Sequence, residues 1–275
     1  MIVIKLQGGM GNQMFQYALG RKLEKKYNMP MCLDLSFLKR RDFGPNFMYR
    51  DYDLDIFNVN PTLVDTPPQI DMVVNEPSLV YYEQISNIYN YIPTDKNIYV
   101  DGYFQCDKYF KEIENDIKQE FTFVDTITEG KERDMLDDIQ NSNSILINIR
   151  RTDYLNTSFH GVFGSDFVND AVAMIKEKVE NPKFFIFSDD VDWCRDNLHV
   201  ENSVLVDHTY AGKKFETYLQ LMVNCKHFII PNSTFAWWAA WLCNNPNKIV
   251  IAPQKWFAQN TPTDIIYDEM GWIRI

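Results

Sequence analysis

The stretch Ile145-Leu-Ile-Asn-Ile-Arg-Arg-Thr-Asp-Tyr154 decides the fold. An apolar run that ends abruptly in charged residues predicts a strand buried on both faces, as in a parallel sheet covered by helices. Open α/β sheets bind ligands at the carboxyl ends of their strands, which is where Arg150 and Arg151 stand. Because a guanidinium donates paired hydrogen bonds to phosphate oxygens and stays ionised, this strand end predicts phosphate binding, with Asp153 orienting one of the arginines.

Short apolar strands alternate with helical segments on both sides of this stretch, which is the pattern of an α/β protein. Downstream, the pattern predicts strands at 145–149, 183–187, 204–206, 227–230 and 248–252, and helices at 165–179, 192–198, 215–223 and 234–242. Upstream, it predicts strands at 2–6, 31–35 and 98–100, helices at 14–27 and 108–121, and a loop-rich middle at 39–97. We therefore predict two Rossmann-like domains, at 1–130 and 140–275, with the boundary inside the acidic, polar stretch at 125–144.

The amino-acid composition limits which ligands the protein can bind and in which cellular compartment we expect it. The chain has 275 residues, with 27 Lys and Arg against 38 Asp and Glu, so its net charge is −11. This excess repels nucleic acid and anionic lipid, so an anionic ligand needs a local group of cations or helix N-termini. The five cysteines show no metal or CxxC spacing and are interpreted as reduced thiols. Without a signal peptide or an apolar run of ~18 residues, we expect a cytoplasmic protein, and peripheral contact with the inner face of the membrane stays open.

A second strand end carries polar groups suited to phosphate. Ser188, Asp189 and Asp190 follow the strand at 183–187 and precede a helix, so they are candidates either for ligand binding or for simple N-capping. A DxD pattern at 190–192 can hold a metal elsewhere, but the same pattern occurs twice within 51–55 and is uninformative in so acidic a chain.

A third strand end leads into Asn232, Ser233 and Thr234, followed by a helix so apolar all round that it must be buried. Hydroxyls and free amides at such a helix start form an anion site, although capping alone also explains them. The tryptophans of this helix are expected in the core rather than on a sugar-stacking surface.

The glycine-rich turn at 8–13 carries a partial dinucleotide-binding fingerprint. Asp34 ends the next strand, as that fingerprint requires, but Met14 occupies the third glycine position. The turn is therefore interpreted as a tight βα turn, or as a helix start at which Asn12 and Gln13 add polar reach toward a ligand.

Five motifs of the chain are Gly8-Gly-Met-Gly-Asn-Gln-Met-Phe-Gln-Tyr-Ala18, Gly102-Tyr-Phe-Gln105, Arg150-Arg-Thr-Asp-Tyr154, Phe187-Ser-Asp-Asp190 and Asn232-Ser-Thr-Phe-Ala-Trp-Trp238. Together they resemble the motifs of the α-1,2-fucosyltransferases of glycosyltransferase family 11. The motifs keep the family's order and span nearly the whole chain. The resemblance implies transfer of L-fucose from GDP-fucose to the 2-hydroxyl of a terminal galactose in a glycan, with inversion and without a metal or other cofactor. It also implies a GT-B-like pair of Rossmann domains facing a cleft, with the acceptor on the first domain and GDP-fucose on the second.

The resemblance assigns roles residue by residue. Arg150 falls on the first arginine of the family's HxRRxD pattern and is implied to neutralise the β-phosphate of departing GDP, where a fixed cation stabilises the transition state. Asp207 takes the place of a carboxylate that faces the guanine in related enzymes. The implied donor-binding residues are Asn12, Gln13, Asn148, Arg151, Asp153, Ser188, Asp207, Asn232, Ser233, Thr234 and Phe235.

The sequence departs from the family pattern at Asn148, where the pattern has histidine. An asparagine can hydrogen-bond a ribose or nucleotide group but cannot take a proton, so a catalytic base at this position is not expected. Asp153 and Glu83 are candidate bases by chemistry alone, and a pathway in which the departing diphosphate accepts the proton needs neither.

Two other functions stand as alternatives. A nicotinamide-dependent oxidoreductase would use Gly9, Gly11 and Asp34, whereas a non-catalytic glycan-binding module would use the abundant tyrosines and tryptophans. No pair of histidines has metal-ligand spacing, so no metal site is expected. His160 and His208 lie in segments where they can touch a ligand.

Overall fold

The computed structural model of the protein describes residues 1–45, 47–76, 92–156, 160–258 and 270–275. These residues form two compact units, of which the first is Met1–Val124 and the second begins at Asp125. Each unit contains one sheet, and every pairing between its strands is parallel. The predicted pair of parallel α/β folds is therefore confirmed.

The first sheet consists of β1 (Ile2–Lys5), β2 (Met31–Asp34), β3 (Thr62–Val64), β4 (Met72–Asn75) and β5 (Ile98–Asp101), in the order β3-β2-β1-β5-β4. The apolar strand β1 is central, with Ile2 paired to Met31 on one side and to Ile98 on the other. The edge strands β3 and β4 lie in the middle region that was predicted to be loop-rich, so that prediction is wrong there. Strands of three and four residues at a half-exposed edge are too short to leave a readable apolar pattern.

Three helices are described in the first unit, α1 (Met10–Tyr27), α2 (Ser36–Lys39) and α3 (Glu114–Glu120). α1 begins at Met10 rather than at residue 14, because part of the glycine turn is itself helical. Gly8, just before it, has a φ of +79°, a conformation that favours glycine. Gly20 lets α1 lie against β1, since a Cβ there would stand 2.7 Å from Ile4 Cγ1. The start of α1 is thereby fixed at the carboxyl end of β1.

The second sheet consists of β6 (Asn143–Ile149), β7 (Pro182–Ser188), β8 (Ser203–Val206), β9 (His227–Ile229), β10 (Val250–Ala252) and β11 (Ile273–Arg274), in the order β11-β10-β9-β6-β7-β8. The chain starts in the middle at β6, moves outward through β7 and β8, and returns to the other side with β9. This is the doubly wound Rossmann order, in which ligands bind outside the carboxyl ends of the strands at the reversal point. That point lies between β6 and β9, where Arg150 and Asn232 follow the two strands.

The helices of the second unit are α4 (Gly130–Asn141), α5 (Ser165–Lys178), α6 (Val191–Asn197), α7 (Glu216–Val223) and α8 (Thr234–Leu242). α4 corrects the sequence analysis, which treated this acidic stretch as a connection. Only Leu136 and Ile139 of α4 are buried, so its apolar stripe is too narrow to be recognised. Within the described ranges, no helix combines the length and apolar character needed to cross a bilayer.

The interior of the second unit explains why α8 is so apolar. Trp237 and Trp238 have no exposed surface and pack edge to face, with ring centres 5.1 Å apart. The prediction that these tryptophans belong to the core is confirmed. All five cysteines of the chain are buried free thiols.

Candidate active site

Arg150 follows β6 and is held by two carboxylates. Its Nη2 donates a hydrogen bond to Asp153 Oδ2 at 2.5 Å, and its Nη1 lies 3.3 Å from Asp189 Oδ2. The guanidinium carbon lies 5.6 Å from the ring centre of Tyr154. Burial lowers the pKa of Arg150, but Asp189 and Asp153 raise this pKa by more, so the net shift is upward. With its side chain 26% exposed, Arg150 is a fixed and accessible cation at the end of the central strand.

Asp189 organises the turn that carries Arg150. Because β6 and β7 pair in parallel, the residues that follow the two strands are neighbours. Asp189 Oδ1 accepts a hydrogen bond from Arg151 N at 2.9 Å, and its Oδ2 accepts from Thr152 N at 3.1 Å and from the Thr152 hydroxyl. Asp189 belongs to the motif at 187–190, but of that motif only Ser188 was predicted to bind the donor, and the role of Asp189 in this turn was missed. The position of Asp189 in the sequence could have revealed this role. An acidic residue directly after β7 lies next to the turn that follows β6, and it can therefore hydrogen-bond to that turn.

The second arginine has different surroundings. Arg151 Nε lies 3.3 Å from Asp190 Oδ2, and the guanidinium carbon lies 3.9 Å from the ring centre of Trp193 on α6. A guanidinium that is both stacked and ion-paired is anchored to the protein. Arg150 is therefore the better placed of the two cations to act on a ligand, and the donor-binding role of Arg151 stays a prediction.

The start of α8 presents hydrogen-bond donors at the neighbouring strand end. Ser233 is the N-cap residue of this nine-residue helix, and its side chain makes no capping hydrogen bond. Trp237 N donates to the Ser233 carbonyl at 2.9 Å, so the N–H groups of Thr234, Phe235 and Ala236 precede the first intrahelical bond. Self-capping by the Ser233 hydroxyl, the simpler interpretation, is thus absent. Open N–H groups and the positive end of the helix dipole favour an anion here.

Tyr154 joins the two strand ends. Its hydroxyl donates to the Asn232 carbonyl at 3.0 Å, and its ring stacks on His160 with centres 4.1 Å apart and 7° between planes. Burial lowers the pKa of His160. Asn232 is buried, and its Nδ2 donates to the Trp256 carbonyl at 2.8 Å. Among the residues that the structure describes, none donates to Asn232 Oδ1, an orphaned acceptor of the kind that a ligand hydroxyl satisfies.

Three of the implied donor-binding residues make their hydrogen bonds within the protein. Ser188 Oγ accepts from Asp190 N at 2.8 Å, and Asn148 Nδ2 donates to a carbonyl of β7 at 3.2 Å, both from buried positions. Asp207 follows β8, which β7 separates from β6, and its Oδ1 accepts from Thr209 N at 2.9 Å. Hydrogen bonds from Thr209 lower the pKa of Asp207. Contact between these three residues and a nucleotide stays a prediction.

The DxD pattern on α6 serves the helix. Asp190 accepts from Trp193 N at 3.2 Å as the N-cap residue, which confirms the capping interpretation. Asp192 pairs with Arg195 one turn further on. In the described part of the chain, no three His, Cys, Asp or Glu side chains are grouped so that they could hold a metal ion.

In the first unit, the glycine turn is tied down by a buried amide. Gln13 has no exposed surface, and its Nε2 donates to the carbonyls of Gly8 at 3.1 Å and Asp51 at 2.7 Å. Its Oε1 accepts from Asp53 N at 3.0 Å. Both amide hydrogens are therefore used by main-chain carbonyls, and Gln13 builds the turn. A contact between Gln13 and the donor stays a prediction.

Two of the sequence motifs meet at this turn. Asn12 Oδ1 accepts from Gln105 Nε2 at 2.9 Å. Gln16 Nε2 donates to the carbonyls of Gly102 at 3.0 Å and Gln7 at 3.2 Å. The motifs at 8–18 and 102–105 thus form one hydrogen-bonded structure, in which Asn12 is the member at the helix start.

The environment of Asp34 removes the basis of the oxidoreductase alternative. Asp34 is fully buried and accepts hydrogen bonds from Ser36 N, from the Ser36 hydroxyl (both 2.9 Å) and from the Tyr99 hydroxyl (2.7 Å). A carboxylate enclosed in this way cannot reach the ribose of a dinucleotide. Glu83, named above as a candidate base, lies outside the described residues.

Two parallel Rossmann-type sheets, one with a fixed cation and an open helix start at its reversal point, define a two-domain α/β fold of the GT-B-like class. The chain belongs to glycosyl transferase family 11, whose family model matches residues 1–275, and this confirms the resemblance drawn from the five motifs.

Individual relatives agree with this assignment. The chain is 31% identical to an α-1,2-colitosyltransferase of Escherichia coli, over 100% of this chain and 98% of the relative. It is 26% identical to galactoside α-(1,2)-fucosyltransferase 1 of Rattus norvegicus, over 86% of this chain and 61% of the relative. Among solved structures, the Bradyrhizobium fucosyltransferase NodZ, also co-crystallised with GDP, matches with a TM-score of 0.53 at 13% identity and covers 91% of this chain and 94% of its own. This structural similarity shows the fold.

Proposed function

We propose that this protein transfers L-fucose from GDP-fucose to the 2-hydroxyl of a terminal galactose in a glycan, with inversion and without a metal. The observation that carries the proposal is Arg150, a fixed cation beside the open start of α8. Membership in family 11 supports the reaction class, and the names of the curated relatives support the 1,2-linkage.

The site suits displacement at the anomeric carbon. The acceptor 2-hydroxyl oxygen forms a bond to C1 of fucose as the bond from C1 to the β-phosphate oxygen breaks, and the electron pair of that bond leaves with GDP. Positive charge develops on the sugar and negative charge on the diphosphate. A guanidinium already held by Asp153 and Asp189 needs no reorientation to stabilise the second of these charges. N–H groups at the α8 start supply further donors to the diphosphate.

The acceptor proton has two destinations that this site allows. Asp153 is one of them, and its Oδ2 already accepts a hydrogen bond from Arg150. The departing diphosphate gains negative charge as the reaction proceeds, so it can accept the proton without a protein base. Asn148, in the position of the family's histidine, takes no part in either route.

A second donor sugar has support from one relative. The α-1,2-colitosyltransferase of Escherichia coli matches the whole of this chain at 31% identity, a higher identity than that of the fucosyltransferase named above. Colitose is therefore the competing donor sugar, with the same 1,2-linkage in the product.

A transfer assay tests the proposal. Purified protein is incubated with GDP-fucose or GDP-colitose and a panel of galactosides, with and without a chelator, and the products are read by linkage analysis. We expect a 1,2-linked product on a terminal galactose and a rate that the chelator leaves unchanged. Absence of transfer to every galactoside by protein that still binds GDP contradicts the proposal. Loss of activity in chelator that manganese restores contradicts its metal-independent part.

A further inference from the structure

Four aromatic side chains form a cluster on the segment that follows β2. This aromatic cluster consists of Phe37, Phe43, Phe47 and Tyr49. Ring centres are 5.2 Å apart for Phe37 and Phe43, 4.5 Å for Phe43 and Phe47, and 5.1 Å for Phe47 and Tyr49. Phe47 is 39% exposed, and its neighbour Met48 is 54% exposed. Large apolar side chains that pack on one another yet stay open to solvent mark a binding surface.

The aromatic cluster lies at the ligand-binding edge of the first sheet. Phe37 belongs to α2, which follows the carboxyl end of β2. Beyond the cluster, Arg50 Nε lies 3.8 Å from the point where a Cβ on Gly9 would stand. Gln13 then fixes the main chain at Asp51. The cluster is therefore anchored beside the glycine turn, at the edge where sheets of this type bind ligands.

The charges around the cluster cancel. Residues 36–55 contain four Lys and Arg and four Asp. Arg40 Nε lies 3.0 Å from Asp42 Oδ1, and Arg41 Nη2 lies 2.6 Å from Asp51 Oδ1. Arg40 and Arg41, each paired with one carboxylate and about half exposed, give no net attraction to phosphate or to anionic lipid, whereas the site in the second unit adds the N–H groups at the start of α8 to its cation. The cluster fits a neutral ligand instead.

The same ion pairs place hydrogen-bonding groups around the rings. Arg40 lies over Phe43 at 4.2 Å and Arg41 over Tyr49 at 5.3 Å, and Phe47 lies between these two rings and contacts both. Aromatic faces bordered by a few oriented donors and acceptors match a sugar, which offers an apolar C–H face and a rim of hydroxyls.

We propose that the aromatic cluster is a subsite for the acceptor glycan, in which a sugar ring stacks on Phe47 and its hydroxyls bond to the Arg40–Asp42 and Arg41–Asp51 pairs. The identity of the ligand as a galactose-terminated glycan rests on the proposed function. The subsite is formed by the first unit alone, and the donor machinery at Arg150 does not enter it.

Steady-state kinetics on Phe47→Ala test the subsite, with Val73→Ala, which trims an exposed apolar side chain on β4 of the same unit, as the matched control. Lactose is the soluble acceptor, GDP binding is measured by calorimetry, and thermal unfolding checks the fold. We expect the KM for lactose to rise about five- to tenfold in Phe47→Ala, as roughly follows from losing one stacking contact, with GDP affinity unchanged. The control variant should match the wild type in all three measurements.

The outcomes separate this inference from the proposed function. If the wild type transfers fucose and Phe47→Ala has an unchanged KM for lactose, the subsite is overturned while the function stands. If the wild type binds phosphatidylglycerol vesicles, Phe47→Ala does not, and the lactose KM is unchanged, the cluster is a lipid contact and the proposal is likewise overturned. If the wild type transfers nothing, lactose binding followed by NMR still tests the cluster, and binding that Phe47→Ala abolishes supports it.

Discussion

The two sheets follow similar winding rules but use the carboxyl ends of their central strands differently. In the first unit, Gln13 and Asp34 stand at this edge fully buried, with their hydrogen bonds made to protein groups. In the second unit, Arg150 keeps a quarter of its side chain exposed, and Ser233 leaves the helix start uncapped by its hydroxyl. The same strand-turn-helix geometry thus builds a rigid scaffold where its polar groups are satisfied internally, and a charged site where they are not.

This contrast also shows how a strongly acidic chain could hold the proposed diphosphate. With a net charge of −11, the protein as a whole repels anions, so attraction has to come from a few fixed groups at short range. Asp153 and Asp189 do not cancel Arg150 for this purpose, because they hold its guanidinium in place while its exposed part faces solvent. The largest consequences of mutation are therefore expected in the second unit.

Arg150→Ala should give the largest loss of activity. Removing the guanidinium that is proposed to face the developing charge is expected to lower kcat by about two orders of magnitude or more. Initial rates with GDP-fucose and lactose measure it. Lys183→Ala is the matched control, because it removes an ion-paired cation at the opposite end of β7. A near-normal kcat in Arg150→Ala would refute the role assigned to this residue.

Gln13→Ala should have the opposite effect to Arg150→Ala, with a large loss of stability and little change in kcat. The change leaves two main-chain carbonyls and one N–H group of the turn without their partner, so the free energy of unfolding should fall by about 2 kcal/mol. Urea unfolding measures this loss, and Gln119→Ala, at an exposed position on α3, is the control. The kcat of the folded fraction should stay within about threefold of the wild type. A large fall in kcat with unchanged stability would place Gln13 in contact with substrate instead.

Asp189→Asn should act on Arg150 indirectly. The amide keeps the size of the side chain, but it removes the charge 3.3 Å from the guanidinium and turns one of the two accepting oxygens into a donor, and an interaction with a charged group is worth about 1.5 kcal/mol. We expect kcat to fall about tenfold while the KM for lactose stays unchanged. Asp138→Asn, which breaks the ion pair with Lys183, controls for loss of a carboxylate on the same unit. An equal fall in kcat in both variants would mean that Asp189 contributes only to stability and does not position Arg150.

The sequence predicted those parts of the site that lie within one continuous segment. The apolar run before Arg150 identifies its own strand end, and the apolar helix after Ser233 identifies its own burial. The role of Asp189 was missed because its bonds to the 150–152 turn depend on the pairing of β6 with β7, which no local pattern encodes. α4 was missed for the opposite reason, since a helix with two buried residues is held by tertiary packing rather than by a periodic pattern.

Removing the hydroxyl of Tyr154 should have the smallest effect on activity. It tests whether the hydrogen bond between the two strand ends of the second unit positions the site. Tyr154→Phe removes the bond to the Asn232 carbonyl and keeps the ring near Arg150 and against His160. One neutral hydrogen bond is worth about 1 kcal/mol, so kcat/KM should fall roughly fivefold.

Tyr154→Ala serves as the comparison variant, because it also removes the stacked ring and should lose more. An unchanged kcat/KM in Tyr154→Phe would mean that β9 and the α8 start are positioned without this bond. A loss as large as that of Arg150→Ala would mean that the hydroxyl contacts the substrate. The expected intermediate value would make Tyr154 a positioning residue that joins the strand end carrying the cation to the helix start carrying the N–H donors, the two parts of the proposed diphosphate site.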